Sequence, residues 1–71
     1  MENNAKEHLQ RLAAGQVWKL EHGYLHIVDS GKRHIYYKTL KTPNQQTAIT
    51  RMIGIEALLN YLRQSEAVLV A

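Results

Sequence analysis

Residues 16–38 read QVWKLEHGYLHIVDSGKRHIYYK, and two turn signals divide this stretch into three strands. Asp29-Ser30-Gly31, followed by Lys32, is typical of a three-residue hairpin loop, because glycine enters the left-handed conformation without steric cost. His22-Gly23 indicates a two-residue hairpin loop. The stretch is therefore predicted to form an antiparallel three-stranded meander.

Each predicted loop fixes which residues of its two strands lie opposite one another. In the first hairpin the predicted pairs are Glu21–Tyr24, Leu20–Leu25, Lys19–His26 and Trp18–Ile27. In the second hairpin they are Val28–Lys32, Ile27–Arg33, His26–His34, Leu25–Ile35 and Tyr24–Tyr36. Opposite side chains share a face of the sheet, and successive side chains alternate between faces.

The predicted pairing divides the side chains into an apolar face and a basic-aromatic face. The apolar face carries Trp18, Leu20, Leu25, Ile27, Ile35 and Tyr37. The basic-aromatic face carries Lys19, Tyr24, His26, His34, Tyr36 and Lys38. Both loops give the same division, and a slip of one residue would invert it. We predict that the apolar face is core and that the other face, with Lys32 in the adjoining loop, is a binding surface.

Helical patterns occur at both ends of the chain. Asn4 followed by Glu7 has the spacing of a capping box, which predicts a short N-terminal helix within residues 1–14. A second helix is predicted from residue 55 to about residue 64, and its apolar stripe should cover the apolar sheet face. The two stripes are Ala5, Leu9, Leu12 and Ala13, and then Ile55, Leu58, Leu59 and Leu62.

Between these helices the third strand is predicted over residues 33–41 and a fourth over residues 47–53. Pro43 separates the two strands, since proline cannot donate to a ladder. The facing of the fourth strand stays open, because Ile49 and Ile53 share a side with Arg51.

The apolar tail, residues 67–71, is predicted to be a fifth strand on a sheet edge or the last turn of the helix. We expect it to be packed within the monomer or at a dimer contact, because exposed apolar patches promote association. In the alternative, it is exposed like the C-terminal tags that bacterial proteases recognise.

These elements predict an α+β fold: an antiparallel four-stranded meander packed by a C-terminal helix, with residues 15–71 as one domain. The order of elements, opening with Gly15-Gln16-Val17-Trp18, resembles small SH3-like barrels in general outline over about residues 15–65. The resemblance implies a small barrel. An open four-stranded sheet with helices on one side is the alternative.

Composition limits the class of protein. The chain has 71 residues, 45% of them hydrophobic and 21% charged, which indicates one globular domain near the lower size limit for an independent core. Oligomerisation or a bound partner is therefore expected to add stability. Without cysteine there is no disulfide or thiolate metal site. The first residues lack the pattern of a secretion signal, and no apolar run could span a bilayer, so we expect a cytoplasmic protein without a membrane partner.

The net charge of +3 is unevenly distributed. Residues 15–54 carry six lysines and arginines against two acidic residues, whereas residues 55–71 carry one against two. This excess on the predicted strands favours an anionic partner. Alternatively, strand lysines keep the protein soluble and protect the sheet edges.

Catalytic and metal-binding patterns are weak. Ser30 lies in a turn and Ser65 follows the second helix, so neither has the setting of an activated nucleophile. His26 and His34 are predicted to face each other, but two histidines supply only half of a tetrahedral metal site. We predict no enzyme activity, no cofactor and no metal site.

The remaining hypotheses concern binding. We expect a small, non-catalytic, bacterial-type interaction module that forms a homodimer or binds a protein partner through its sheet or its apolar tail. The alternative is single-stranded nucleic acid, with aromatic rings stacking on bases and lysines contacting phosphates. The residues of this candidate binding face are Lys19, Tyr24, His26, Lys32, His34, Tyr36 and Lys38.

Overall fold

A computed structural model of the protein describes residues 12–71. The predicted N-terminal helix falls mainly on residues 1–11, which lie outside the described part of the chain. The described elements are β1 (Val17–Leu20), β2 (Gly23–Ser30), β3 (His34–Leu40), β4 (Arg51–Gly54), α1 (Ile55–Gln64) and β5 (Val68–Leu69).

The five strands form one antiparallel sheet in the order β4-β3-β2-β1-β5. In the described part of the chain, β4 and β5 are the two edges of this sheet, so the sheet is open and is not closed into a barrel. The predicted α+β class, the C-terminal helix and the fifth strand are confirmed. No helix within residues 12–71 has the length and hydrophobicity needed to cross a bilayer.

The helix α1 crosses one face of the sheet from the β4 edge towards the β5 edge. It begins directly after β4, and the Ile55 N–H donates a hydrogen bond to the Arg33 carbonyl at 3.0 Å. Glu56 in the first turn complements the positive end of the helix dipole. Glu66 adopts a left-handed conformation with φ of 53° just after the helix, and the chain then enters β5.

The core lies between α1 and the sheet. Its central cluster consists of Trp18, Leu25, Ile27, Ile35, Leu58 and Leu62, with Leu12, Leu20, Tyr37, Ile53, Ile55 and Ala67 partly buried against it. All six residues of the predicted apolar face therefore belong to the core or its margin. Leu40 and Leu59 are also buried but lie outside this cluster, and Leu40 was assigned to neither face in the sequence prediction.

The side of the sheet away from α1 is called the helix-free face here. By strand alternation and pairing, it carries Val17, Lys19, Tyr24, His26, Asp29, His34, Tyr36, Lys38, Leu40, Met52 and Val68. Six residues of the predicted basic-aromatic face are among them.

The predicted register of the first hairpin is wrong by two residues. The observed pairs are Val17–His26, Trp18–Leu25, Lys19–Tyr24 and Leu20–Gly23. Glu21 and His22 form the turn, and Gly23 is the first residue of β2. Gly23 has a φ of +155°, and a Cβ there would lie 2.5 Å from the Leu40 carbonyl oxygen. A close approach to β3 thus explains this glycine, which the sequence had assigned to the turn.

The predicted register of the second hairpin is also wrong. The observed pairs are Tyr24–Leu40, Leu25–Thr39, His26–Lys38, Ile27–Tyr37, Asp29–Tyr36 and Ser30–Ile35. Val28 is the extra residue of a β-bulge, and the Gly31 N–H bonds the His34 carbonyl at 2.8 Å, so the chain turns at Lys32-Arg33. Up to Ile27 the pairing differs from the prediction by four positions. Because the slips of two and four positions are even, the residues of the two predicted faces kept those faces.

The later strands also differ from their predicted bounds. β3 is one residue shorter at each end than predicted, and β4 begins at Arg51, four residues later than predicted. Ile53 lies opposite Ile35 on the core side, and Met52 lies opposite Tyr36, which settles the open question of facing.

The tail pairs with β1 through its backbone, and the Val70 N–H bonds the Val17 carbonyl at 2.9 Å. Ala67 is partly buried against the core, whereas Val68 is 57% exposed and Val70 is 51% exposed, so the tail packs within the monomer only in part. The alternative, a dimer contact of the tail, stays a prediction.

Candidate functional site

The structure brings six of the seven predicted binding residues onto the helix-free face. They are Lys19, Tyr24, His26, His34, Tyr36 and Lys38. Lys32 lies instead at the tip of the β2–β3 turn and is exposed there. The predicted face therefore exists, with Lys32 beside it.

Two cross-strand pairs on this face place a lysine beside an aromatic ring. Lys19 lies directly opposite Tyr24, and Lys38 lies directly opposite His26. Lys19 is exposed, whereas the other three side chains are half-buried. A lysine beside a ring combines a charge for phosphate with a flat surface for stacking.

Tyr36 and Met52 form an apolar pair at the β4 side of the helix-free face. They lie opposite one another on β3 and β4, and they are 41% and 57% exposed. On its other side Tyr36 lies opposite Asp29, so the predicted pairing of Tyr36 with Tyr24 is wrong. A patch of this kind at a sheet edge is suited to contact with protein.

The predicted cross-strand pair of His26 and His34 is also wrong. His26 lies opposite Lys38, and His34 lies opposite Gly54 at the start of β3. Within residues 12–71 no three histidine or acidic side chains come together in a group that could hold a metal ion.

A crevice that the sequence pattern did not predict lies on the opposite side of the sheet, between α1 and strands β2 to β4. It has a volume of about 240 Å³ and is lined by Leu25, Tyr37, Thr39, Ile53, Leu58 and Tyr61. Leu25 and Leu58 are almost fully buried, while Tyr61 is 44% exposed. Among residues 12–71, no charged side chain lines the crevice, so it is suited to a neutral apolar group.

The loop before β4 is held by the side chain of Gln45. Its Oε1 accepts a hydrogen bond from the Lys41 N–H at 2.9 Å, and its Nε2 donates one to the Thr47 carbonyl at 2.7 Å. The Gln45 N–H also bonds the Thr42 carbonyl at 3.2 Å. Ile49, in the segment that follows, is 74% exposed, the largest value among the exposed large apolar side chains of the described residues.

Comparisons with known proteins assign no function to these surfaces. No family model matches the chain, and no curated protein or solved structure matches it. Functional inference therefore rests on the geometry of residues 12–71.

Proposed function

We propose that the protein is a small, non-catalytic interaction module that associates with itself through the β4 edge of its sheet. The observation that supports this most directly is the exposed Tyr36–Met52 pair at that edge, on strands whose ladder ends at β4. A second copy docked against this edge would remove the exposed Tyr36–Met52 pair from water.

Apart from its short length and Arg51, the β4 edge lacks the features that usually prevent edge-to-edge association. Within β4, Arg51 is the only charged residue and there is no proline. In monomeric proteins, edge strands are commonly protected by lysine, proline or a bulge. A chain of this length has a limited core, so area buried in a dimer would add to the stability of the domain.

Sedimentation of two matched variants tests this proposal. Met52→Lys places a charge at the β4 edge, and Val68→Lys places the same charge on the same face at the β5 edge. Both side chains are 57% exposed, so neither change should unfold the domain. We expect the wild type and Val68→Lys to dimerise and Met52→Lys to remain monomeric. A wild type that sediments as a monomer at every concentration would refute the proposal.

A second candidate function is binding of single-stranded nucleic acid across the helix-free face. The direct pairs Lys19–Tyr24 and His26–Lys38 favour it, because charge and ring alternate along adjacent strands. We expect Tyr36→Ala to weaken binding of a mixed oligonucleotide pool, and added salt to weaken it steeply. Tyr61→Ala is the matched control, since that tyrosine is similarly exposed on α1. Lack of any retention of the oligonucleotide at low salt would exclude this candidate.

A further inference from the structure

The ladder between β3 and β4 ends at the Tyr37–Arg51 pair, although β3 continues to Leu40. Ile35 pairs with Ile53 and Tyr37 pairs with Arg51. Two residues further along each strand, the same register would pair Thr39 with Ile49. This rung is not formed, and the Ile49 side chain is 74% exposed.

The side chain of Gln45 explains why the rung is open. Continued further, the register would bring Lys41 opposite Thr47. The Gln45 amide already bridges these two residues, with hydrogen bonds of 2.9 Å to the Lys41 N–H and 2.7 Å to the Thr47 carbonyl. A side chain thus stands where the two backbones would meet, and it holds the segment before β4 away from β3.

The backbone of Thr39 is consequently available at the sheet edge. The Leu40 carbonyl oxygen lies towards β2, at 2.5 Å from the Cβ position of Gly23. Carbonyl and amide directions alternate along an antiparallel strand. The N–H and C=O of Thr39 therefore point away from β2, towards the open rung.

Thr39 is also part of the crevice lining. Thr39 and Tyr37 line the crevice from β3, and Tyr61 lines it from α1. Its volume of about 240 Å³ exceeds the roughly 150 Å³ that can hold a benzene molecule in a protein core. One apolar side chain of moderate size would fit between Thr39, Tyr37 and Tyr61.

We propose that the crevice receives the Ile49 side chain of a second copy of this chain. This inference rests on the self-association proposed above and names the residues that achieve it. Ile49 is neutral, as the uncharged lining requires, and it lies on an exposed segment without regular structure.

The contact is reciprocal. Thr39 and Ile49 of one copy each lie two residues from the Tyr37–Arg51 pair, so they flank the same gap. A two-fold axis through this gap places each Ile49 in the other copy's crevice. A reciprocal contact of this kind gives a closed dimer rather than an open fibre.

Disulfide trapping tests the contact directly, because the chain has no cysteine of its own. A Thr39→Cys chain is mixed with an isotope-labelled Ile49→Cys chain in a glutathione redox buffer, so that only intermolecular bonds can form between the two positions. We expect the dimer that joins one chain of each variant to make up a larger fraction of the disulfide dimers than random pairing would give. Thr39→Cys mixed with Val68→Cys is the control, and that mixed dimer should not be enriched. Equal yields in the two mixtures would overturn the proposal.

Sedimentation of Ile49→Asp provides a second measurement. A carboxylate is costly in an apolar crevice, so dimerisation should weaken by at least about tenfold, while Gln46→Asp in the same exposed segment should leave it unchanged. Equal dimerisation of both variants would overturn the proposal. A wild type that dimerises without mixed-disulfide enrichment refutes only the Ile49 contact, whereas a monomeric wild type refutes self-association itself.

Discussion

The clearest test of the observed register is a comparison of Gly23→Ala with Gly15→Ala. Both glycines have a positive φ, +155° at Gly23 and +94° at Gly15. A Cβ at Gly15 would meet nothing within 4 Å, whereas a Cβ at Gly23 would lie 2.5 Å from the backbone oxygen of Leu40. The two substitutions thus share a conformational strain, and only one of them adds a steric clash.

The sizes of these effects differ enough to measure. Alanine at a positive φ costs about 1 to 2 kcal/mol, which is the whole effect expected at Gly15. At Gly23 the clash with a backbone atom forces β2 and β3 apart, which adds about 1 to 3 kcal/mol of overpacking strain. For a domain of this size each kcal/mol lowers Tm by roughly 4 to 8 °C. Gly23→Ala should therefore melt at least about 4 °C below Gly15→Ala.

Thermal and urea unfolding, followed by circular dichroism, measure this difference. Equal loss of stability in the two variants would contradict the reasoning, because it would show that Gly23 does not approach the Leu40 carbonyl. The register of both hairpins would then need revision, since that approach fixes where β2 begins. If Gly23→Ala does not fold at all while Gly15→Ala does, the order of the two effects still stands.

Three further predictions concern the loop, the core and the tail. Gln45→Ala removes the two side-chain hydrogen bonds of the loop, so the chain should form its own Thr39–Ile49 pair. The Thr39 amide should then be protected from hydrogen exchange, and self-association should weaken. Unchanged exchange of this amide would contradict the prediction. Leu58→Ala, at a fully buried position, should lower the free energy of unfolding by about 2 to 5 kcal/mol in urea, and a loss under 1 kcal/mol would contradict the core assignment. Deletion of residues 68–71 should expose Trp18 and shift its fluorescence to longer wavelength; an unchanged spectrum would show that β5 does not cover it.

The faces of the sheet could be predicted from the sequence, whereas the register could not. Alternation of apolar and polar residues is a local property, and it survives any slip by an even number of residues. The register depends on contacts distant in sequence, such as Gly23 against Leu40, and on the bulge at Val28. No local turn rule contains this information.

The start of β4 and the crevice were unpredictable for a related reason. The pattern of residues 47–53 suits a strand throughout, but the Gln45 side chain replaces backbone pairing at its beginning. The crevice exists because α1 leaves part of the sheet around Thr39 uncovered. Its lining combines residues from three strands and one helix, which only the packed fold brings together.

A dilution series of the wild type, followed by ¹H–¹⁵N NMR, tests the central claim of self-association at the β4 edge most directly. We predict that the amide signals of Tyr36, Thr39, Ile49 and Met52 shift together as the protein is diluted, while those of Val68 stay fixed. These shifts would locate the interface at the edge formed by β4. Signals that do not move over the whole range, or shifts centred on β5, would contradict the claim.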